Sequence, residues 1–559
     1  MSGGLNATSG IENLAPEQQS AAENVRYSDE GGIQPRNGVV LLTASGGGAK
    51  VGNIHTHRNT VMFAKSGTKI YQSTDWKKHS YTTGVTRTAT EIDEFESVER
   101  DVFASNQTDA YLRIAVSTIA AISSGAGTFS VNTGDGEKFS SGTVYIRGTA
   151  ITGGTLATDD YTGCTGLTSS MAVGDIVTQT STPSGAPKGA CITELEGSTL
   201  VGNVKSNPMV IHYSAARTDT APQFSYDFTA NGANKKSMPS DVLAFGKVTG
   251  GVLIGLKRGI HFSGGFEVNT GALLTAEKSG VHGVHNARAF SQGDKMTMCL
   301  TNTNRILPII YDQNGVQVMD DPFNKKKNLD YPVRSILDGL DTVQTFSGAF
   351  YDPSTSTHTF VVYKNGFSRE LVYQEDIGKW SVDIGKNALC KTFYKGRVYT
   401  GSDNSDKIYL ENEGRDDDGA AIQTRITTGK LTPKPKRITS EYLDLTFGGL
   451  CSATGEFTVR ILCRDTEITR DVTAAKMIEA GLMTIDSGVF IGHGETGGEL
   501  IGTGGSVIEA FPFTYSFPFL LEGESIQIQW EITAEGSVVE LRDYTIRAQT
   551  DGELLLTSQ

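Results

Sequence analysis

The chain has 559 residues and a formal net charge of −14, from 63 acidic and 49 basic side chains. This acidic balance disfavours a general nucleic-acid binder, because such proteins carry basic stripes that neutralise phosphates. Sixty-five glycines and scarce helical periodicity indicate a turn-rich β protein with room for several domains. Scattered cysteines, no apolar run of membrane-spanning length and no signal-peptide pattern predict a soluble protein made in a reducing cytoplasm.

Residues 1–50 predict an extended N-terminal arm. Glycine pairs and Pro35 mark its turns, and the segment holds too little apolar material to fold alone. A short helix is expected near 16–23. We expect the arm to lie on a neighbouring domain or subunit, with a loose tail as the alternative.

The arm contains a spaced motif, Asn-Val-x-Tyr followed by Gly-Gly-x-x-x-Arg-x-Gly, ahead of an apolar strand. Its members are Asn24, Val25, Tyr27, Gly31, Gly32, Arg36 and Gly38. This pattern resembles the start of the nozzle or hub proteins of short-tailed bacteriophages, which usually carry Pro where this chain has Asn37. The seven residues are candidates for an interface specific to that family.

The segment 51–431 repeats a pattern of short strands and turns. One copy starts at Asn59, and others start near residues 190, 242, 287, 345 and 388, about forty to sixty residues apart, as in propellers. The copies alternate apolar and polar residues at period two, and Asn365-Gly366 marks a tight hairpin. The pattern predicts a roughly six-bladed β-propeller, with an array of sandwiches or several small barrels as the alternatives.

Two segments depart from this repeat. Residues 105–188 are rich in Gly, Ser and Thr and predict a small β-domain inserted in the propeller, which either contacts a fibre or neighbouring protein or is passive. A linker with two prolines at 430–437 marks a domain boundary. Residues 438–559 alternate apolar and polar residues and predict a C-terminal β-sandwich.

Residues with metal or catalytic chemistry are sparse. Two close histidine pairs are present, His55 with His57 and His282 with His285. A pair supplies too few ligands for a closed metal site, and Asp416–Gly419 lacks the spacing of a calcium loop. Lys325, Lys326 and Lys327 form a small basic loop, for which a solvated loop is favoured over a DNA contact. With no catalytic motif, the sequence predicts no metal, no cofactor and no enzyme activity.

The resemblance to nozzle and hub proteins implies a structural protein of the virion tail, synthesised in a host cytoplasm. It implies a homohexameric ring below the portal and the head–tail adaptor, with genome DNA passing through the lumen without sequence recognition. The arm and the propeller loops would then contact neighbouring subunits and the adaptor. The C-terminal sandwich would form another part of the tube or bind a tail fibre or needle.

The main alternative is a receptor-binding or polysaccharide-depolymerising tail protein. Such a protein needs exposed Trp or Tyr platforms and, for cleavage, a pair of carboxylates. Only three tryptophans occur, at positions 76, 380 and 530, which disfavours this alternative. A third hypothesis, a host-type interaction propeller, is disfavoured by the N-terminal arm.

Overall fold

The computed structural model describes residues 4–8, 14, 18–28, 32–44, 48–98, 101–215, 227–229, 233–275, 278–279, 282–312, 315–321, 323–342, 346–414, 416–430, 438–452, 456–463, 466–473, 483–484, 507–523, 525–532, 540–550 and 553–558. The protein is all-β, with 56% strand and 4% helix, as the sequence predicts. The two-proline linker at 431–437 lies outside the described residues. No helix among the described residues is long and apolar enough to cross a membrane.

Seven antiparallel sheets follow one another around a ring, and the first strand of each lies beside the first strand of the next. The ring closes because the first strand of the last sheet lies beside Val51–His57, the first strand of the first sheet. Each sheet can thus bury both faces against its neighbours, which a lone four-stranded sheet cannot do. The arrangement is a β-propeller, as predicted.

Five of the blades are uninterrupted meanders of consecutive strands. Blade 1 comprises Val51–His57, Val61–Ser66, Lys69–Ser73 and Tyr81–Thr86. Blade 3 comprises Gly189–Leu195, Ser198–Val204, Val210–Tyr213 and Asn234–Ser237. Blade 4 comprises Val242–Val248, Gly251–Leu256 and Gly259–Ser263. Blade 5 comprises Phe290–Gln292, Thr297–Leu300, Ile306–Asp312 and Gly315–Val318, with Lys278–Ser279 beside its last strand. Blade 6 comprises Phe346–Asp352, Thr357–Lys364, Phe367–Gln374 and Lys379–Ile384.

Two composite blades complete the ring, so the predicted count of about six is corrected. Blade 2 comprises Glu94–Val98, Asp101–Ser105, Leu112–Ser123 and Ile176–Ser181, and is interrupted before its fourth strand. Blade 7 comprises Ala388–Tyr394, Arg397–Ser402 and Lys407–Glu411, with the arm strand Val39–Ala44 as its fourth and Asp416–Asp417 and Ala420–Ala421 beyond. Neither blade is contiguous in the chain. The copy of the repeat that starts near residue 388 is blade 7, whereas blade 2, which the inserted domain interrupts, is not among the copies that the sequence pattern marks.

The axis of the propeller is crossed by charged side chains. Arg288 Nε donates to Glu94 Oε1 at 2.8 Å, and its Nη1 donates to the Gly52 carbonyl at 3.0 Å, so one side chain joins blades 1 and 2 to the start of blade 5. Nearby, Lys247 Nζ lies 2.7 Å from Glu194 and 3.7 Å from Glu96. The centre of the wheel is therefore filled by ion pairs.

The inserted domain leaves blade 2 between its third and fourth strands and has its own core. Its further strands are Thr128–Val131, Val144–Ile146, Thr149–Ile151, Thr155–Ala157 and Asp160–Thr162. Phe129 and Tyr161 stack in that core with ring centroids 4.7 Å apart. Leu112–Ser123 and Ile176–Ser181, inside the predicted insertion at 105–188, are also strands of blade 2.

The C-terminal region forms two facing sheets, and the arm contributes strands to both. One sheet contains Gln18–Glu23, Thr424–Thr428, Gln527–Ile532, Glu456–Cys463 and Thr466–Thr473, with Gly4–Leu5 beside Gln18–Glu23. The other contains Val25–Tyr27, Ile33–Pro35, Glu540–Thr550, Ile438–Ser452, Val507–Gly523, Met483–Thr484 and Glu553–Ser558. Trp530 and Tyr544 pack between them, with ring centroids 5.4 Å apart.

The arm is therefore built into the protein. The helix predicted near 16–23 is wrong, because Gln18–Glu23 pairs along Thr424–Thr428 and adopts the extended backbone of that sheet. Helix is confined to short turns at Ser124–Ala126, Gly136–Lys138, Lys325–Lys327 and Tyr331–Val333 and to Arg334–Leu337 within the described residues.

Candidate functional site: a buried charge cluster at the arm

The arm motif lies where the arm, the propeller and the sandwich meet. Asn24 is buried and has φ +56°, a conformation that asparagine tolerates better than most residues. Its Nδ2 donates to the Gln423 carbonyl at 2.7 Å, and its Oδ1 accepts from Arg36 Nε at 3.0 Å and from Ile384 N at 2.9 Å. This one side chain ties the arm to the end of blade 6 and to the chain entering the sandwich.

Arg36 forms the second anchor of the motif. Its Nη1 and Nη2 donate to the two carboxylate oxygens of Asp417, at 2.9 Å and 2.5 Å, in the forked geometry that favours arginine over lysine. Gly38 lies so close to the same segment that an added Cβ would be 1.9 Å from the Asp416 carbonyl oxygen. Position 38 therefore admits only glycine while the arm occupies this place.

Val25 and Tyr27 carry the apolar side of the motif. Both are buried in the large core that continues from blade 6 into the sandwich. The Tyr27 backbone exchanges two hydrogen bonds with Gln374 of blade 6, and Lys379 Nζ lies 4.7 Å from the Tyr27 ring centroid. Burial raises the pKa of the Tyr27 hydroxyl above its usual value.

The glycine pair of the motif marks the turn between the two arm strands. Gly32 N donates to Ser28 Oγ at 2.9 Å, and Ser28 N donates to the Gly32 carbonyl at 2.9 Å. Gly31 lies outside the described residues. The Ser28 hydroxyl thus accepts one of the two hydrogen bonds that close this turn.

Around Arg36 lies a group of eight buried or half-buried charges that we name the arm-anchoring cluster. It consists of Arg26, Arg36, Lys386, Lys391, Glu370, Asp383, Glu411 and Asp417. Four cations thus face four anions. They come from the arm, from blades 6 and 7 and from the segment after blade 7, so only the folded arrangement assembles them.

Asp383 is at the centre of the cluster. Arg26 donates to both of its carboxylate oxygens, at 2.7 Å and 2.6 Å, and Lys386 Nζ lies 2.8 Å away. Burial would raise the pKa of Asp383, but the charges of Arg26, Lys386 and Arg36 outweigh burial and hold this pKa well below its usual value. Asp383 therefore stays ionised although its side chain is fully buried.

The two lysines of the cluster bridge blades 6 and 7. Lys391 Nζ lies 2.8 Å from Glu370 and 2.6 Å from Glu411, and Lys386 contacts the same two carboxylates. Burial would raise the pKa of Glu411, yet the two lysines lower it overall; for Lys386, burial would lower the pKa and Asp383, Glu370 and Glu411 raise it overall. Glu411 and Lys386 therefore keep their charges.

The charges of the cluster pair with one another where the arm meets the propeller. Each cation contacts at least one anion of the cluster, so none is left as a free proton donor or electrophile. A buried pair of this kind adds little net stability over an apolar contact, but removing one partner is costly. The cluster therefore specifies one position for the arm on the propeller.

The sequence motif includes Arg36, but the residues that face it carry no sequence signal. Glu370 and Asp383 occupy polar positions of ordinary alternating strands, and no local pattern separates them from solvated side chains. Asp417 belongs to the stretch Asp416–Gly419, considered above as a cation site. Its carboxylate instead binds Arg36, while Asp418 contacts Lys407.

The histidine pairs also contact protein groups. His55 Nε2 and His57 Nδ1 both lie within hydrogen-bond distance of Ser97 Oγ, at 2.7 Å and 2.9 Å. Burial, with a smaller effect of His57, lowers the pKa of His55 to about 3, so this ring is neutral. His282 Nε2 lies 3.1 Å from Asp320. Within the described part of the chain, no group of three potential metal ligands converges.

One buried constellation has the residue types of a hydrolase triad. Ser291 Oγ lies 2.7 Å from His358 Nδ1, and His358 Nε2 lies 3.5 Å from Glu375. All three residues are buried, and Ser291 Oγ also donates to the Phe350 carbonyl at 3.0 Å. The serine has no open side for a substrate, so the constellation ties blades 5 and 6 together.

Comparisons with known proteins give a distant structural likeness only. No protein-family model matches the chain, and no curated protein matches it. A solved structure described as "YCF48 bound to D1 peptide" is 10% identical, with 69% of this chain and 97% of that chain covered and a TM-score of 0.36. "YCF48 from Cyanidioschyzon merolae" is 8% identical, with 67% and 98% covered and a TM-score of 0.34. The propeller assignment rests on the strand pairing described above, and these matches carry no function to this chain.

Proposed function

We propose that this chain is a structural protein of a virion tail, the nozzle or hub ring at the distal part of a DNA-ejection channel. The observation that carries the proposal is the arm motif. The six described motif residues, on which the resemblance to nozzle and hub proteins rests, all lie at the junction of arm, propeller and sandwich. A sequence motif that fixes the junction between the parts of the chain is expected of a structural protein.

The rigidity of the protomer supports this proposal. The arm supplies the fourth strand of blade 7 and strands to both sandwich sheets, so the three parts of the chain share strands. A subunit of a ring must hold its interfaces at a fixed angle for the ring to close. Because Arg288 and Glu94 cross the propeller axis, the DNA passage in this proposal lies between copies and not through the propeller.

The burial of the tryptophans favours this proposal over the receptor-binding or depolymerising alternative. Trp76, Trp380 and Trp530 are each at most 3% exposed, so none offers a platform for stacking a sugar ring. In the proposed ring, propeller loops face the adaptor and portal-side proteins, and the sandwich faces a fibre or needle. The protein's location is then the virion tail.

Mass photometry and negative-stain microscopy of the purified chain, alone and with the adaptor from the same genome, test the proposal. The expected result is a closed ring of six copies with an open centre wide enough for duplex DNA. A chain that stays monomeric under both conditions contradicts the proposal. A trimer that cleaves a polysaccharide supports the alternative.

A further inference from the structure

An unusual loop projects from the rim of blade 5. We name residues 319–329 the rim loop. Phe323 is 99% exposed, and the following lysines, Lys325, Lys326 and Lys327, are exposed on a short helical turn. In the described part of the chain, none of these lysines has an ion-pair partner. Aromatic side chains are enriched at interface centres and charged side chains belong to the polar rim, so the exposed phenyl ring with lysines beside it suits the centre and the edge of an interface.

The rim loop is held in place from within. Asn328 is buried, accepts from Asp321 N at 2.7 Å and donates to Asp320 Oδ1 at 2.8 Å. The Asp321 carboxylate accepts from the backbone N–H groups of Phe323 and Asn324, at 3.0 Å and 2.8 Å. Both ends of the loop are thus fixed, and the phenyl ring is displayed at no further cost of ordering the backbone.

The surface beneath the rim loop is partly apolar. Ile310 is 56% exposed and Met319 is 43% exposed, and both line a groove of about 530 Å³ together with Leu329. Lys295, which is paired with Asp376, and Lys327 also line this groove, as do Asp320 and Asp321. The groove itself is mixed in charge, and the cationic surface of this rim is supplied by the three lysines of the rim loop. Together with Phe323, Ile310 and Met319, these lysines suit a partner that presents acidic and apolar side chains together.

This chain carries such a surface on its opposite flank. The inserted domain projects from the outer strands of blade 2, three blades away from blade 5 on a wheel of seven. Residues 119–176 contain five acidic and two basic side chains, a net charge of −3. Glu137 and Asp160 are exposed there, as is Val173 at 65%.

We propose that the rim loop docks on the inserted domain of a second copy of this chain. The inference rests on the proposed function, because a closed ring with one interface per subunit needs two different, complementary patches on opposite flanks. The basic rim loop and the acidic insertion satisfy that need in charge and in position. Attraction across the interface also offsets the repulsion between copies that each carry a charge of −14.

Charge exchange tests this contact. The variant K325E/K326E/K327E leaves Asp321 and Asn328 in place, so the loop keeps its frame. We expect it to weaken ring assembly by at least about tenfold in the dissociation constant. Combining it with Glu137→Lys and Asp160→Lys restores assembly. The matched control reverses three exposed lysines on other blades, Lys77, Lys205 and Lys235, and assembles like the wild type.

The outcomes separate this inference from the proposed function. If the wild type forms rings and the rim-loop variant still does, the docking contact is wrong and the proposed ring stands. If the wild type forms no ring, the proposed function fails and this contact fails with it. If the variant instead loses binding to anionic vesicles or to DNA with assembly unchanged, the occupant is a lipid surface or a nucleic acid and the inference is overturned.

Discussion

Buried charges decide where the arm sits. Asp383 is surrounded by Arg26, Arg36 and Lys386. Because its carboxylate is fully buried, water cannot take the place of these cations. An apolar contact tolerates small shifts, whereas a buried carboxylate facing three cations is satisfied in one geometry only. At the scale of single residues, the cluster therefore provides specificity more than net stability.

The substitution Asp383→Asn tests how much this carboxylate contributes to the free energy of unfolding. The amide keeps the shape but leaves three buried cations without their shared anion, so we expect a loss of about 3–5 kcal/mol in unfolding free energy at neutral pH. Differential scanning calorimetry measures it as a lower transition temperature. The control Arg397→Gln breaks an exposed pair with Glu413 and should change stability by about 1 kcal/mol or less. Equal effects of the two variants would contradict the central role of Asp383.

Glu96, beside the propeller axis, predicts that the stability of the protein depends on pH. Burial first, and then Glu194, raise its pKa to about 7 against the partial opposition of Lys247. Because the folded state holds this proton more tightly than the unfolded state, Glu96 lowers stability progressively as the pH rises from about 4.5 to about 7. The total is about 1–3 kcal/mol, since one pKa unit corresponds to about 1.4 kcal/mol and the side chain is partly exposed.

Glu96→Gln should therefore match the wild type at pH 4 and exceed it at pH 8. Thermal unfolding measured at both pH values checks this difference. Glu137→Gln, an exposed acid of the inserted domain, is the control and should show no such divergence. A Glu96 variant that is less stable than the wild type at pH 8 would show that its contact with Lys247 outweighs its burial.

At the scale of residues, contacts between neighbours in the sequence could be predicted, whereas contacts between residues far apart in the sequence could not. Asn365 and Gly366 have φ +57° and +78°, as the predicted hairpin requires, and the Asp341 carboxylate accepts from both of their N–H groups. That turn depends on two adjacent residues. Asp383 meets Arg26 across more than 350 positions, and no pattern in one sequence encodes such a pairing.

At the scale of elements, the arm closes the propeller. The strand Val39–Ala44 pairs with Lys407–Glu411 and covers the edge that blade 7 would otherwise expose. The ring of blades is thus closed by a strand that precedes the first blade in the chain. The sequence predicts an extended arm, but its partners lie near the far end of the chain, so its pairing could not be read from the pattern.

This closure predicts complementation by the arm in separate form. A chain starting at residue 48 should be soluble only in part, because the edge of Lys407–Glu411 and both sandwich sheets lose strands. Co-expression with a peptide of residues 1–47 should restore a soluble complex that survives size-exclusion chromatography. The peptide carrying Arg36→Leu is the matched control, since it keeps the strands and loses the contact with Asp417. Equal rescue by both peptides would show that strand pairing alone seats the arm.

At the scale of the whole molecule, the protein is a wheel with two attachments of different kinds. The sandwich shares strands and core with the arm and blade 6, whereas the inserted domain has its own core and leaves the wheel at one blade. The sequence indicates both attachments from breaks in the repeat. It could not indicate that the sandwich is continuous with the wheel, because that continuity runs through the arm.

Excision of the inserted domain tests this division. Thr118 pairs directly with Ile176, and joining them through Asn-Gly reproduces the turn that connects Lys364 with Phe367. Because the inserted core shares only a few residues with blade 2, the shortened wheel should lose about 5 °C or less in its main thermal transition. Removing the fourth strand, Ile176–Ser181, as well is the matched control; it opens the blade edge and should destabilise the wheel strongly. If the shortened chain unfolds as easily as that control, the inserted domain is part of the structural core of the wheel. If it folds normally but no longer assembles, the inserted domain acts between molecules, as the contact with the rim loop requires.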